Sequence, residues 1–311
     1  MNPLISVIIP CYNADRTIYN CLASLKSQTY TNWEAICVDD GSVDMTREVV
    51  EHEMQDARIK LCLQPNRGAA KARETGVKYA QGDYVLFLDA DDTLISHAFE
   101  LMLDVFRVDS LIDIVVSGFN IIENGRVTKR KRPQWKELDR ISYLKRVLCG
   151  KDGWELCAKM YKKTLFATPL YIPEGLKAGE DAVVFIQLVC NSQKVGGCNV
   201  PIYNYIQYEE SVTHIRSLEN AEDTIKAAQI IEAMLREKEL LSFLLVEMDV
   251  MFLLSYSNST RKFRLRKDHS LVLDVRKRMR ISSFLKLPFY RVVYIIMSYY
   301  FGKYMAMLLK M

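Results

Sequence analysis

The sequence has no CxxC pair and no dense cysteine framework; its eight cysteines stand apart at 11, 21, 37, 62, 149, 157, 190 and 198. Structural zinc is therefore not expected, and thiols such as Cys37, inside the apolar run WEAICV, read as small buried hydrophobes in a reducing, cytosolic setting. No GxGxxG or Walker loop is present, and no Ser–His pairing for nucleophilic catalysis. There is no uninterrupted apolar run of 18 or more residues, so a spanning helix is not expected. The first residues, MNPLISVIIP, lack the basic region and long apolar segment of a signal peptide. A large excess of either charge is also lacking: a net +4 over 311 residues is too mild to imply nucleic acid. What remains is a globular chain of one large domain or two ordinary ones.

The first part alternates short apolar runs with helical patterns. Strands are expected at 5–9 (ISVII), 33–38 (WEAICV), 58–63 (RIKLCL) and 84–88 (YVLFL). Between them, Ile18, Cys21, Leu22 and Leu25 share one helical face, Ser42 or Asp44 is placed to cap a helix running through Val50, and AAKARETGVKYA reads as a third helix. This alternation predicts a doubly wound, mostly parallel α/β sheet. In such sheets ligands bind outside the carboxyl ends of the strands, where PCYN, VDDGS, QPNRG and DADD all fall. From about 219 the composition shifts to one or two long helices. The expected division is a catalytic domain over 1–218 and a helical region over 219–311.

Three carboxylates, Asp89, Asp91 and Asp92, end the fourth strand within four positions. Packed together they repel, and desolvating them is costly without a cation or hydrogen-bond donors. Hard oxygen ligands in this setting suit Mg²⁺ or Mn²⁺ completed by substrate phosphates. A blander role is open to Asp92, as the cap of the next helix. A rival chemistry is open too: DADDT matches the DxDxT signature of haloacid dehalogenase-like phosphatases, in which Asp89 would be a nucleophile toward phosphate. That motif normally follows the first strand, and the rival leaves VDDGS without a role.

The ordered set SVIIPCYNAD (6–15), QTYTNWEAICVDDGSVD (28–44), NRGAAKARETG (66–76), GDYVLFLDADD (82–92) and EGLKAGEDAVVF (174–185) resembles the family 2 glycosyltransferases with the nucleotide-sugar-binding A-type fold, of the bacterial surface-polysaccharide kind. The resemblance implies an inverting transfer of a hexosyl or N-acetylhexosaminyl unit from a UDP-sugar to a saccharide or lipid-linked acceptor, with Mn²⁺ or Mg²⁺. It implies nucleotide-sugar contacts at Pro10, Tyr12, Asn13, Asp39, Asp40, Arg67, Gly68, Asp89 and Ala90. Asp91 becomes the chief metal ligand, assisted by Asp92 and with His214 as a further candidate ligand, and His214 and Arg216 are placed to reach the diphosphate or the metal. Asp181 of GED becomes the base on the acceptor hydroxyl, with Glu180 its neighbour; both also suit the first turn of a helix. Trp154 is either acceptor-facing or core. Position 74 is Glu where many relatives carry Asn. A catalytically inactive nucleotide-sugar-binding subunit is the non-enzymatic alternative.

Between Arg261 and Arg280 nine Lys/Arg stand against two Asp, and an aromatic, apolar stretch follows, punctuated by Lys286, Pro288, Arg291 and Lys303. This pattern predicts peripheral membrane contact through 261–311, at the inner face of the plasma membrane; an ordinary helical subdomain or a dimerisation face is the alternative.

Overall fold

The computed structural model describes residues 2–173, 175–176, 178–207, 218–263, 275 and 277–301. They fall into two compact units, one from Met1–Arg140, Glu155–Ile172 and Gln187–Ser211, the other from Ile141–Trp154, Pro173–Ile186 and Val212–Met311.

The first unit is built on one ten-stranded sheet. Its opening elements are β1 (Ile5–Cys11), α1 (Ile18–Lys26), β2 (Trp33–Asp39), α2 (Thr46–Glu53), β3 (Ile59–Leu63), α3 (Ala69–Tyr79) and β4 (Tyr84–Phe87). These are the expected elements, shifted by a residue or two at their ends. Then come β5 (Thr93–Leu94), α4 (Ala98–Val108), β6 (Ile112–Glu123), β7 (Arg126–Lys131), β8 (Glu137–Asp139), β9 (Lys159–Lys162) and β10 (Lys194–Gln207).

The spatial order is β3-β2-β1-β4-β9-β6-β10-β5, with β7 on β6 and β8 on β10. Strands β3, β2, β1 and β4 pair in parallel, as do β6 and β10, while β9 runs antiparallel between β4 and β6. The sheet is thus mixed, with six strands in the common direction and β5, β7, β8 and β9 against it. The four reversed strands are two to six residues long, too short to give a periodicity signal of their own.

Strands β1 and β2 are apolar nearly throughout because both of their faces are covered. The predicted face of α1 packs inward, with Ile18, Cys21, Leu22 and Leu25 fully buried. Helix α3 lies so close to the sheet that a Cβ on Gly76 would stand 2.3 Å from Ile8 Cγ2. Pro10 follows the last β1–β4 pair, Ile8↔Phe87, where a missing N–H costs the ladder least.

One capping alternative is resolved and one capping expectation is corrected. Helix α2 begins at Thr46, and Asp44 Oδ1 accepts from the Thr46 N–H at 3.0 Å, so Asp44 rather than Ser42 serves that end. Helix α4 begins at Ala98 after His97, so Asp92 caps no helix; strand β5 intervenes.

The second unit contains α5 (Arg140–Leu148), the first turns of α6 (Glu180–Asn191), α7 (Leu218–Glu237), α8 (Leu241–Phe263), α9 (Ile281–Phe284) and α10 (Phe289–Phe301). The stretch Leu241–Asn258 is long and apolar enough to cross a membrane by length and composition, yet 61% of it is buried inside the fold. Its Val250, Leu253 and Tyr256 form a core with Val275, Leu287 and Ile295.

Candidate nucleotide-sugar site

The site begins where the loops after β1 and β2 are stitched together. The backbone N–H groups of Asn13, Ala14 and Asp15 donate to Ser42 Oγ (3.0 Å), Thr46 Oγ1 (2.7 Å) and Asp44 Oδ2 (3.1 Å). In return Asn13 Oδ1 accepts from the Val43 N–H at 3.0 Å. Asn13 sits at φ 50°, a left-handed conformation that asparagine tolerates better than most residues. Four polar side chains thus fix the loop that presents Tyr12, which is half exposed.

Asp39 and Asp40 are adjacent and buried but differently engaged. Asp40 Oδ1 accepts from Gln64 Nε2 (2.7 Å) and the Arg67 N–H (2.8 Å), and its Oδ2 accepts from the Gly68 N–H (2.8 Å). Both oxygens therefore hold the third loop in place. Gly68 there adopts φ 86°, which favours glycine. The Arg67 side chain is exposed. Asp39 uses one oxygen only: Oδ1 accepts from the Ser42 N–H (3.1 Å) and Oγ–H (2.5 Å). A cavity of about 500 Å³ opens beside it, lined also by Ser42, Arg47, Leu63, Gln64 and Pro65. That volume lies within the usual range for small-molecule sites, roughly 300–1,000 Å³. The carboxylates 89, 91 and 92 are not part of its lining.

Beyond β4 each of the three carboxylates has its own environment. Asp89 is compensated: Arg73, on the buried face of α3, donates from Nη2 to Asp89 Oδ1 at 2.8 Å. The Tyr203 hydroxyl donates to Asp89 Oδ2 at 3.4 Å and accepts from the Asp89 N–H at 3.2 Å. Asp92 is almost wholly buried; its Oδ1 accepts from the Ile206 N–H at 2.8 Å and its Oδ2 has no hydrogen-bond partner. Burial, then the charges of Asp91 and Asp89, push the Asp92 carboxyl up to about 8, against the smaller pull of Tyr203 and the Ile206 N–H. Asp91, half-buried, is raised by burial and by Asp89. Ala90 is buried between them.

This chemistry fits a divalent cation supported by few protein ligands. Two neighbouring carboxylates are pushed toward their neutral forms by burial and by the charge of adjacent carboxylates, and one buried oxygen is unsatisfied. No cluster of three or more His, Cys, Asp or Glu poised around a metal occurs among the described residues. Mg²⁺ and Mn²⁺ do not require one, since such ions commonly take one or two carboxylates and complete their shell with phosphates and water.

Glu180 and Asp181 are half-buried in the first turn of α6, where carboxylates are stabilised by the helix dipole. Trp154 is half-buried. His214 and Arg216 lie outside the described residues. Arg73 and Tyr203 carry the geometry of Asp89 yet were not singled out from sequence. A signal for Arg73 was present in NRGAAKARETG, an arginine on an otherwise small-residue helix face. Tyr203, 114 residues beyond Asp89 in the chain, had none.

Comparison with known proteins agrees with this architecture. The family model described as "Glycosyl transferase family 2" matches residues 6–164. The uncharacterized glycosyltransferase EpsJ of Bacillus subtilis is 31% identical over 224 residues, 69% of this chain and 64% of that protein. The Escherichia coli UDP-Glc:alpha-D-GlcNAc-diphosphoundecaprenol beta-1,3-glucosyltransferase WfgD is 40% identical over 125 residues, 40% of this chain and 49% of that protein. In each case the match spans less than two thirds of the relative's length. Among solved structures, S. aureus TarS 1-349 in complex with UDP-GlcNAc superposes with a TM-score of 0.71 at 21% identity, over 95% of this chain and 89% of that one; at that identity it speaks for the fold. The nucleophile role that a phosphatase would demand of Asp89 is also poorly served, since both its oxygens are already engaged by Arg73 and Tyr203. With more than half of its length matched by the family model, the chain belongs to glycosyl transferase family 2.

Proposed function

We propose that the chain is an inverting, metal-assisted glycosyltransferase that moves a hexosyl or N-acetylhexosaminyl unit from a UDP-sugar to a saccharide or lipid-linked acceptor in cell-surface polysaccharide synthesis. The observation that carries the reading is the division of labour among the strand-end carboxylates: Asp40 locked into the loop, Asp39 with one oxygen uncommitted beside a cavity, Asp89 fixed by Arg73 and Tyr203, Asp91 left over. Two relatives support the choice of substrates, one solved with UDP-GlcNAc and one named for a diphosphoundecaprenol acceptor.

In this reading the uncommitted oxygen of Asp39 accepts from the uracil N–H, and Tyr12, Pro10 and Asn13 line the base and ribose. Asp89, held in one orientation, accepts from a ribose hydroxyl. Asp91, assisted by Asp92, would hold Mn²⁺ or Mg²⁺, which when bound neutralises charge on the departing diphosphate as a Lewis acid. Asp181 accepts the acceptor hydroxyl's proton as the oxygen bonds to the anomeric carbon and the bond from that carbon to the phosphate oxygen breaks. Inversion requires that base and leaving group lie on opposite faces of the sugar, the same geometry that separates the carboxylates of inverting glycosidases.

Calorimetric titration with a panel of UDP-sugars, UDP and GDP-mannose, with and without Mn²⁺, tests it. Metal-enhanced binding of a UDP-sugar by the native chain, with the enhancement lost in Asp91→Ala, is the expected result. Absence of nucleotide binding under every condition overturns the reading.

A further inference from the structure

Residues 277–301 of the second unit are fastened to α8 and α7 by one face. Ser283, Leu287 and Ile295 are buried, the latter two in the core with Val250, Leu253 and Tyr256. Polar contacts fix the same face: the Arg278 guanidinium meets both Glu232 oxygens at 2.7 Å and lies 4.5 Å from the Phe252 ring centroid. Arg280 Nε stands 3.4 Å from Asp249, and Lys286 Nζ donates to Glu247 at 2.5 Å. The orientation of the segment is thereby determined, and its inward positions are filled.

On the outward side stand large apolar residues. Ile281, Leu285 and Phe289, spaced four apart, are 81%, 82% and 82% exposed, and Tyr290 follows at 60%. Single exposed hydrophobics are common, but four within ten residues, each directed away from a core its neighbours already fill, make a surface that calls for a partner. Charge selects the partner. From 275 to 311 the chain carries eight Lys/Arg and no Asp or Glu; Arg278, Arg280 and Lys286 are met by Glu232, Asp249 and Glu247, which leaves a basic excess of five. A second copy would bring two such net-basic segments together at a repulsive cost. An anionic lipid surface offers both what the apolar ridge and what the cations require, with acyl boundary beneath and phosphate headgroups around it.

We propose that Ile281, Leu285, Phe289 and Tyr290 form a docking ridge that seats the second unit on an anionic phospholipid bilayer. The ridge is independent of the donor-site reading, because its test reads membrane partition rather than sugar transfer.

The experiment is flotation of the full chain with vesicles of 70:30 phosphatidylcholine:phosphatidylglycerol, and with phosphatidylcholine alone. It is repeated with Ile281→Ser/Leu285→Ser/Phe289→Ser, whose fold is checked by circular dichroism. These substitutions spare Leu287 and Ile295, which a deletion of 281–311 would take from the core. The native chain is expected to float with the anionic vesicles, more weakly with neutral ones, and the triple variant to bind about tenfold or more weakly, as affinity follows buried apolar area. A native chain that stays in the aqueous fraction overturns the proposal. So does undiminished binding by a folded triple variant, or a native dimer in gel filtration that the triple variant converts to a monomer.

Discussion

Arg73 and Asp89, sixteen residues apart, close a salt bridge of 2.8 Å between the inner face of α3 and the end of β4. The Arg73 side chain is 10% exposed and that of Asp89 30%, so water screens the pair only in part. Replacing Arg73 with Met leaves Asp89 beside Asp91 and Asp92 with no cation of its own. The expected cost is about 2 kcal/mol in urea unfolding, below the roughly 3–5 kcal/mol of a fully buried pair because of Asp89's exposure. Weaker UDP affinity is expected alongside. Unchanged stability and affinity would mean that Arg73 does not hold Asp89 in solution.

The adjacent pair Asp39 and Asp40 should separate under the same substitution. Asp40→Asn places an amide among three hydrogen-bond donors and frees the loop at Arg67 and Gly68, an expected loss of about 2 kcal/mol, in keeping with hydrogen bonds to a charged group. Asp39→Asn can retain an acceptor for Ser42 while altering the second atom, so stability should change little and uridine affinity should fall about tenfold or more. Calorimetry and urea melts on both variants decide it. Equal effects on stability and on binding would remove the division of labour on which the proposed function rests.

The fold of the first four strands and the edge that carries the polar loops are legible in the sequence because long apolar runs alternate with helical periodicity, and each loop is short. The roles within the loops are less legible. Nothing in VDDGS says that its second aspartate reaches forward to Gln64, Arg67 and Gly68, because those bonds depend on a turn whose path the spacing does not specify. The contact between Tyr203 and Asp89 depends on β10 returning beside β6, a pairing with a bulged register that no local pattern announces. Asp92 illustrates the same gap: as a sequence position it suits a cap, but an intervening two-residue strand moves the helix away and turns the carboxylate inward.

Asp92 also makes stability depend on pH in a definite direction. Its carboxyl is raised to about 8 in the folded chain, against an unfolded value of about 3.9. The folded state therefore binds the proton more tightly, and stability falls as pH rises from about 4 toward about 8, levelling above the folded value. Asp92→Asn keeps an acceptor for the Ile206 N–H and removes the charge. Its Tm advantage over the native chain should be larger near pH 8 than near pH 5, by about 2–4 °C for each kcal/mol regained in a chain of this size. Thermal melts at the two pH values check this, and identical curves would show that Asp92 is not held neutral.

Asp181 supplies the sharpest separation between an enzyme and a binding subunit. Its place in the first turn of α6 means that charge there is favoured by the helix dipole, so Asp181→Asn should cost no more than about 1 kcal/mol of stability. If Asp181 takes the acceptor's proton, the same variant should bind a UDP-sugar as the native chain does while losing transfer by about 10²-fold or more, the usual scale of a lost general base. The measurement pairs donor titration with a UDP-release assay across a set of saccharide and lipid-linked acceptors. Transfer that survives in Asp181→Asn would assign the base elsewhere. Donor binding by the native chain with neither transfer nor hydrolysis, on every acceptor, would favour an assembly subunit that keeps the fold and the nucleotide contacts without turnover.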